Sequence, residues 1–148
     1  MSGALPALLA RLRGTPRRLA GRRDPLGPKG ERIAAKHLKK AGYRVVSRNV
    51  FTRVGEADLV CLTPDGRALV VVEVKARRWN GAPGEVNRYP PELAIDGRKR
   101  RKLLAVAGAL SRRKKWMGMP VRIDVVAVEI PQRGAAVVRH HEGAVRGR

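Results

Sequence analysis

Aromatic residues are scarce in this 148-residue chain; Phe, Trp and Tyr together make up 3% of it. Stacking platforms of the kind single-strand binders use are therefore poorly supplied. A single cysteine, Cys61, excludes an internal disulfide and suits a reducing cytoplasm. No apolar run approaches the roughly 20 residues of a membrane span. Acids are few as well: 12 Asp+Glu stand against 33 Lys+Arg, a formal net charge of +21 and a pI of about 11.7. The hydrophobic content, 43%, is ordinary. This is the balance of a folded basic protein whose partner is a polyanion, nucleic acid before an anionic membrane surface. Binding would rest on phosphate contacts, with weak sequence reading and strong salt dependence. The length fits one domain and not two. No P-loop, dinucleotide fingerprint, zinc spacing, Ser/His/Asp constellation or internal repeat is present.

What the chain does have is organised around Gly55–Lys75. Two apolar, β-branched runs flank Asp65-Gly66, the strongest short-range signal for a β-hairpin. With Asp65-Gly66 as a two-residue turn, Asp58 lies opposite Glu73 and Glu56 opposite Lys75. The strand period of two then puts all four on one face. Opposed Cβ atoms are roughly 5 Å apart, so two carboxylates there repel unless they share a proton or hold a cation. Hard oxygen ligands suit Mg²⁺, and Lys75 beside them offers positive charge for a phosphate or a means of orienting water. The chemistry indicated is metal-assisted phosphodiester hydrolysis. The alternative is a solvated charged face with Glu and Lys paired across strands. Against it, the acids interrupt nearly continuous apolar runs, as in a strand covered on both sides.

Around this hairpin the remaining elements fall in order. Residues 1–28 read as a basic, disordered arm, with Arg11, Arg13, Arg17, Arg18, Arg22 and Arg23. A helix is expected over 29–41, with Ala34, Leu38 and Ala41 as its apolar stripe and Gly42 as its stop. Glu31 would point along its core side, or simply complement the helix dipole from the first turn. Tyr43–Asn49 is a short strand. Ala76–Pro91, with Trp79 and Tyr89, reads as a long loop, either a substrate-gripping flap or disordered. Asp96 can cap a second helix running to about Arg113, with Leu103, Val106, Ala107 and Leu110 on its buried face. Arg98, Lys99, Arg100, Arg101 and Lys102 crowd its first turns, where the dipole disfavours cations, so phosphate binding is the natural use. Pro120–Ile130 alternates as a strand, and Ala135–Arg139 reads as a short final strand. The domain is thus expected at 29–139, with 140–148 a basic tail. His37, His140 and His141 are too isolated to suggest a metal centre.

This order resembles the PD-(D/E)XK nuclease superfamily, and more closely the YraN-like family of predicted endonucleases. The matching segments are Gly30-Glu31 with Ala34, Ala35 and Leu38, then Gly42-Tyr43, Arg48-Asn49, Gly55-Glu56-Ala57-Asp58-Leu59-Val60, Val72-Glu73-Val74-Lys75-Ala76-Arg77, Lys99, and Arg122-Ile123-Asp124-Val125. Ala57 stands where a larger aliphatic is expected, and Ala76 where Thr is common. The resemblance implies an α/β, restriction-endonuclease-like fold: a central mixed β-sheet with a β-hairpin, flanked by helices. It implies that Asp58, Glu73 and the Val74 carbonyl bind Mg²⁺ or Mn²⁺, that Lys75 positions the attacking water, and that Glu31 completes the acidic cluster. Arg77, Arg78, Arg98, Lys99 and Lys102 are the expected nucleic-acid contacts.

Two functions remain open at this level. One is a metal-dependent DNA endonuclease, on branched or damaged DNA, which as a junction cutter would work as a homodimer. The other is a non-catalytic nucleic-acid-binding protein that keeps the nuclease fold. A cytoplasmic location without membrane attachment fits both.

Overall fold

The structure is a computed structural model and describes residues 25–81 and 95–147. The basic arm up to residue 24 and most of the loop expected before Pro91, Tyr89 included, lie outside the described residues. A five-stranded sheet in the order β1-β2-β3-β4-β5 forms the centre. Its strands are β1 (Arg44–Thr52), β2 (Gly55–Leu62), β3 (Leu69–Trp79), β4 (Val121–Pro131) and β5 (Val137–Val145). The two helices are α1 (Leu26–Lys40) and α2 (Gly97–Ser111), and a single 3-10 turn follows at Lys114–Trp116. Only β3 and β4 pair parallel; the other three pairs are antiparallel. A parallel pair needs a long crossover, and α2 supplies it. The α/β architecture is the one the resemblance implies, a mixed sheet with a hairpin and helices on its faces.

The helices divide the core in two. Ala34, Ala35 and Leu38 of α1 pack with Leu59, Cys61, Val70, Val72, Val126 and Val128 on one face. Leu103, Val106, Ala107 and Leu110 of α2 pack with Val60, Leu62, Leu69, Val71 and Ile123 on the other. Covered on both sides, β4 is buried along most of its length and β3 from Leu69 to Glu73, which explains their continuous apolar sequence. No helix among the described residues is long and apolar enough to cross a membrane.

The boundaries differ from expectation in ways that bear on the site. Helix α1 begins at Leu26, so Glu31 is not in its first turn and the dipole role does not apply to it. The helix forms through Gly27, Pro28 and Gly30 because packing outweighs their poor propensity. Pro is tolerated in the first turn. At Gly30 there is no room for a side chain: a Cβ would collide with the Cβ of Ala76 on β3. Gly42, at φ 89°, ends the helix as expected, with Tyr43 N–H donating to Leu38 O at 3.0 Å.

The hairpin register is as expected, with Leu62 opposite Leu69 and Leu59 opposite Val72. The turn is wider than two residues, closed by Thr63 N–H donating to Ala68 O and by Asp65 accepting from Thr63 Oγ1 and Arg67 N–H. The loop expected from Ala76 starts later, because β3 runs on to Trp79 beside β4. Strand β5 passes the boundary expected at 139 and reaches Val145. What holds that polar segment is Asp124, fully buried, which accepts from Arg122 Nε at 2.8 Å, from Gly143 N–H at 2.9 Å and lies 2.8 Å from His140 Nε2.

Candidate active site

The site arises where β2 and β3 part. Their ladder ends at Leu59–Val72; below it β2 pairs only with β1, and Glu56 faces Phe51 rather than the expected Lys75. Asp58 takes the place of the missing ladder bond. Its Oδ2 accepts from Val74 N–H at 2.7 Å. A strand residue directs its N–H and C=O to the same neighbour, so the Val74 carbonyl also faces the β2 side. Glu73, next to the last ladder pair, is 4% exposed. Its Oε1 receives two ammonium groups, Lys99 Nζ at 2.9 Å and Lys75 Nζ at 3.2 Å. Its Oε2 is buried and has no hydrogen-bond partner.

The electrostatics follow from this crowding. Burial first, then the negative charge of Glu73, raise the Asp58 carboxyl from 3.8 to about 7. That net value includes a downward pull from the Val74 N–H, a smaller upward push from Glu31 and a downward pull from Lys99. Glu31 therefore acts on the site although α1 covers the opposite face of the sheet. Its Oε2 accepts from Asn49 Nδ2 at 3.2 Å. Asn49 adopts φ 47°, the only positive φ at a non-glycine residue among those described, and it lies within β1 at the position opposite Asp58, between the pairs Arg48–Leu59 and Val50–Ala57. Asn is among the few residues that tolerate this conformation. Sequence reasoning gave Asn49 no role at the site; an Asn within a β-branched strand was the available signal.

The expected residues thus fall into three groups. Asp58, Glu73, Lys75 and the Val74 backbone converge, with Glu31 contributing by its charge. Lys99, expected among the phosphate contacts, has its ammonium inside the acidic site. Arg98 and Lys102 are exposed on the first turns of α2, the latter with its stem against Gly55, and Arg77 and Arg78 are exposed beyond Lys75 on β3. Arg98 and Lys102 thus form a basic rim on α2 to either side of Lys99, whereas Arg77 and Arg78, consecutive on a strand, point to opposite faces of the sheet.

Among the described residues no three His, Cys, Asp or Glu side chains are grouped as a ready metal centre. The protein offers two carboxylates and a backbone carbonyl instead. That set fits Mg²⁺ or Mn²⁺, hard ions that are held by one or two carboxylates and otherwise keep water or phosphate oxygens. The unpartnered Glu73 Oε2 is the specific fit, since a buried anionic oxygen without a donor is costly. A cleft of about 710 Å³ lies elsewhere, lined by Ile95, Arg100, His140 and Glu142. The acid pair, with its unpartnered buried oxygen, gives the better grounds for a site.

The model of the uncharacterised protein family UPF0102 matches residues 30–128, which run from α1 to β4 and include every residue of the acid cluster. The chain belongs to the UPF0102 family. This is the YraN-like family of the sequence resemblance. A UPF0102 protein of Kineococcus radiotolerans is 38% identical over 122 residues, covering 82% of this chain and 93% of its own. One from Geobacter sulfurreducens is 37% identical over 115 residues, 78% of this chain and 84% of that protein. One from Symbiobacterium thermophilum is 42% identical over 106 residues, 70% and 81% respectively. Among solved structures, SfsA of Pyrococcus furiosus in complex with Ca²⁺ aligns with a TM-score of 0.38 and 18% identity, covering 80% of this chain and 63% of SfsA.

Proposed function

We propose that this UPF0102 protein is a metal-dependent endonuclease that hydrolyses phosphodiester bonds in DNA, with branched or damaged DNA as its substrate. One observation carries the reading: Glu73 Oε2 is buried without a partner, on a side chain whose charge reaches Asp58. Mg²⁺ or Mn²⁺ bound there would polarise the phosphate and lower the pKa of an attacking water. Asp58, Glu73 and the Val74 carbonyl hold the ion. Asp58 must lose its proton to do so, and its pKa near 7 makes ion binding strengthen as pH rises through neutrality. Lys75, on the same face as Glu73, orients the water and stabilises charge developing on the phosphate. Glu31 adds negative charge at the ion's edge. Arg77, Arg78, Arg98 and Lys102 hold the flanking phosphates, which fixes position without reading sequence. A junction substrate has two strands to cut, and a two-fold pair of chains supplies the two sites.

The test is to incubate the full chain with plasmid, linear, single-stranded and branched DNA, with Mg²⁺ or Mn²⁺, beside a Glu73→Ala/Lys75→Ala variant. Cleavage that needs the metal and is absent from the variant is the expected result. Asp58→Ala alone should abolish cleavage while leaving DNA binding intact or stronger, because a repelling carboxylate is gone. Binding without cleavage across the whole panel would leave a nucleic-acid-binding protein that keeps the fold.

A further inference from the structure

Two lysines share one oxygen of Glu73, and they are not equivalent. Lys75 is two residues away on the same strand and on the same face, so the backbone itself holds it there. Lys99 comes from α2, on a flexible four-carbon stem, and yet makes the shorter contact, 2.9 Å against 3.2 Å. Its side chain is 28% exposed, which leaves a route to the rim, whereas Glu73 is almost wholly enclosed. Its backbone is fixed: Lys99 N–H donates to Asp96 Oδ1 at 2.7 Å at the start of α2. Arg98 and Lys102, one position before and one turn after it, face solvent. Lys99 therefore stands between the acid pair and the basic rim, and its ammonium can serve either.

We propose that Lys99 is a movable counter-ion that links phosphate binding on the α2 rim to cation binding at Glu73. This rests on the metal-dependent reading of the site. With its ammonium on Glu73 Oε1, Lys99 neutralises that carboxylate and repels a second cation. A backbone phosphate arriving at the rim offers Lys99 a new partner. As Lys99 turns to the phosphate, Glu73 is left with Lys75 alone and accepts a divalent ion more readily. The ion and the substrate then strengthen each other's binding by the same factor, as linkage requires. Lys99 acts through Glu73 and through the phosphate, so it is a positioning residue rather than a catalytic one.

The experiment uses the full chain and no cleavage readout. Mn²⁺ affinity is measured by isothermal titration for the wild type, Lys99→Met, Lys99→Arg, Arg101→Met and Glu73→Gln. Lys99→Met should bind Mn²⁺ about tenfold more tightly than wild type, because a cation within a few ångströms is removed. Arg101→Met takes the same charge from the exposed surface of the same helix and should change affinity by less than about twofold, since solvent screens it. Lys99→Arg keeps the charge and should stay near the wild type. Separately, fluorescence anisotropy with a labelled phosphorothioate duplex gives the factor by which Mn²⁺ tightens duplex binding. That factor should be large in the wild type, small in Lys99→Met and near unity in Glu73→Gln. Equal effects from Lys99→Met and Arg101→Met, weaker Mn²⁺ binding in Lys99→Met, or an unchanged coupling factor would each overturn the proposal. Absence of Mn²⁺ binding in every chain would overturn the metal-dependent reading itself, and this inference with it.

Discussion

Replacing Asp58 by Asn probes the acid pair without metal or substrate. The amide keeps the shape of the side chain, and its carbonyl can still accept from Val74 N–H, now 2.7 Å from Asp58 Oδ2. What it removes is a titration. The carboxyl has an ordinary pKa of 3.8 when solvated and about 7 in the fold, because burial and the charge of Glu73 penalise its anion. Below the lower value both folded and unfolded chains carry the proton. Between the two, the fold keeps a proton that the unfolded chain has released, so stability falls as pH rises, by about 1.4 kcal/mol per unit. Above the upper value the loss is complete. Over roughly three units this amounts to at most about 4 kcal/mol, and solvent access at the half-buried Asp58 reduces it to about 2–4 kcal/mol.

Asp58→Asn should therefore be more stable than wild type by about 2–4 kcal/mol near pH 8, with the gap closing towards pH 4. Urea denaturation of both chains at several pH values measures it, and their difference cancels every other titrating group. A variant that is no more stable near pH 8, or a gap that does not change with pH, would refute the account of Asp58 as an acid held against repulsion and burial.

Three further outcomes follow from particular contacts. Arg122→Ala leaves Asp124 fully buried without its two-pronged guanidinium partner, and should cost about 3–5 kcal/mol in urea denaturation; a loss below about 1 kcal/mol would mean that His140 and Gly143 suffice. Gly30→Ala forces α1 away from Ala76 and should destabilise by about 1–3 kcal/mol. The Asp58→Asn variant serves there as a background: if the shift of α1 carries Glu31 off the site, Gly30→Ala also narrows the pH-dependent gap between Asp58 and its Asn variant, and an unaltered gap would separate α1 from the acid cluster. Removing residues 1–24 takes away Arg11, Arg13, Arg17, Arg18, Arg22 and Arg23; DNA affinity should fall and its dependence on salt should flatten, whereas an unchanged salt slope would make the arm a bystander.

The features legible in the sequence were those with local periodicity. The hairpin register follows from a period of two around Asp65-Gly66, and the buried stripe of α2 from apolar residues at helical spacing behind the cap that Asp96 provides. The Asp58–Glu73 pair read from that register is not formed, because the ladder ends at Leu59–Val72; Asp58 is held instead by the Val74 N–H next to Glu73. What could not be read locally was set by tertiary contact. Gly27 and Pro28 look like arm, and become helix because α1 starts at Leu26 and lies against β3 closely enough for Gly30 to touch Ala76. His140-His141-Glu142-Gly143 looks like tail, and becomes strand because Asp124 and Arg122 on β4 bind it. The meeting of Lys99 with Glu73 depends on where the crossover helix passes over the sheet, which no spacing in the sequence specifies.

Three charged side chains are buried among the described residues: Glu73, Asp124 and Glu129. The fold handles two of them as stability requires. Asp124 has Arg122, His140 and the Gly143 N–H about its two oxygens, and Glu129 has Arg139 at 3.0 Å. A chain with 33 basic residues has no shortage of donors. Glu73 even attracts two of them, but both go to Oε1, and Oε2 is left bare beside a second acid whose proton is held up to about neutrality. A purely structural acid would be expected to resemble Asp124, with every lone pair engaged, because an unpaired buried oxygen only subtracts from stability. A surface for holding nucleic acid gains nothing from it either, since carboxylates repel phosphate. The imbalance supports the proposed reading, in which a divalent cation arrives at Oε2, and it distinguishes Glu73 from the ion pairs that merely hold this sheet together.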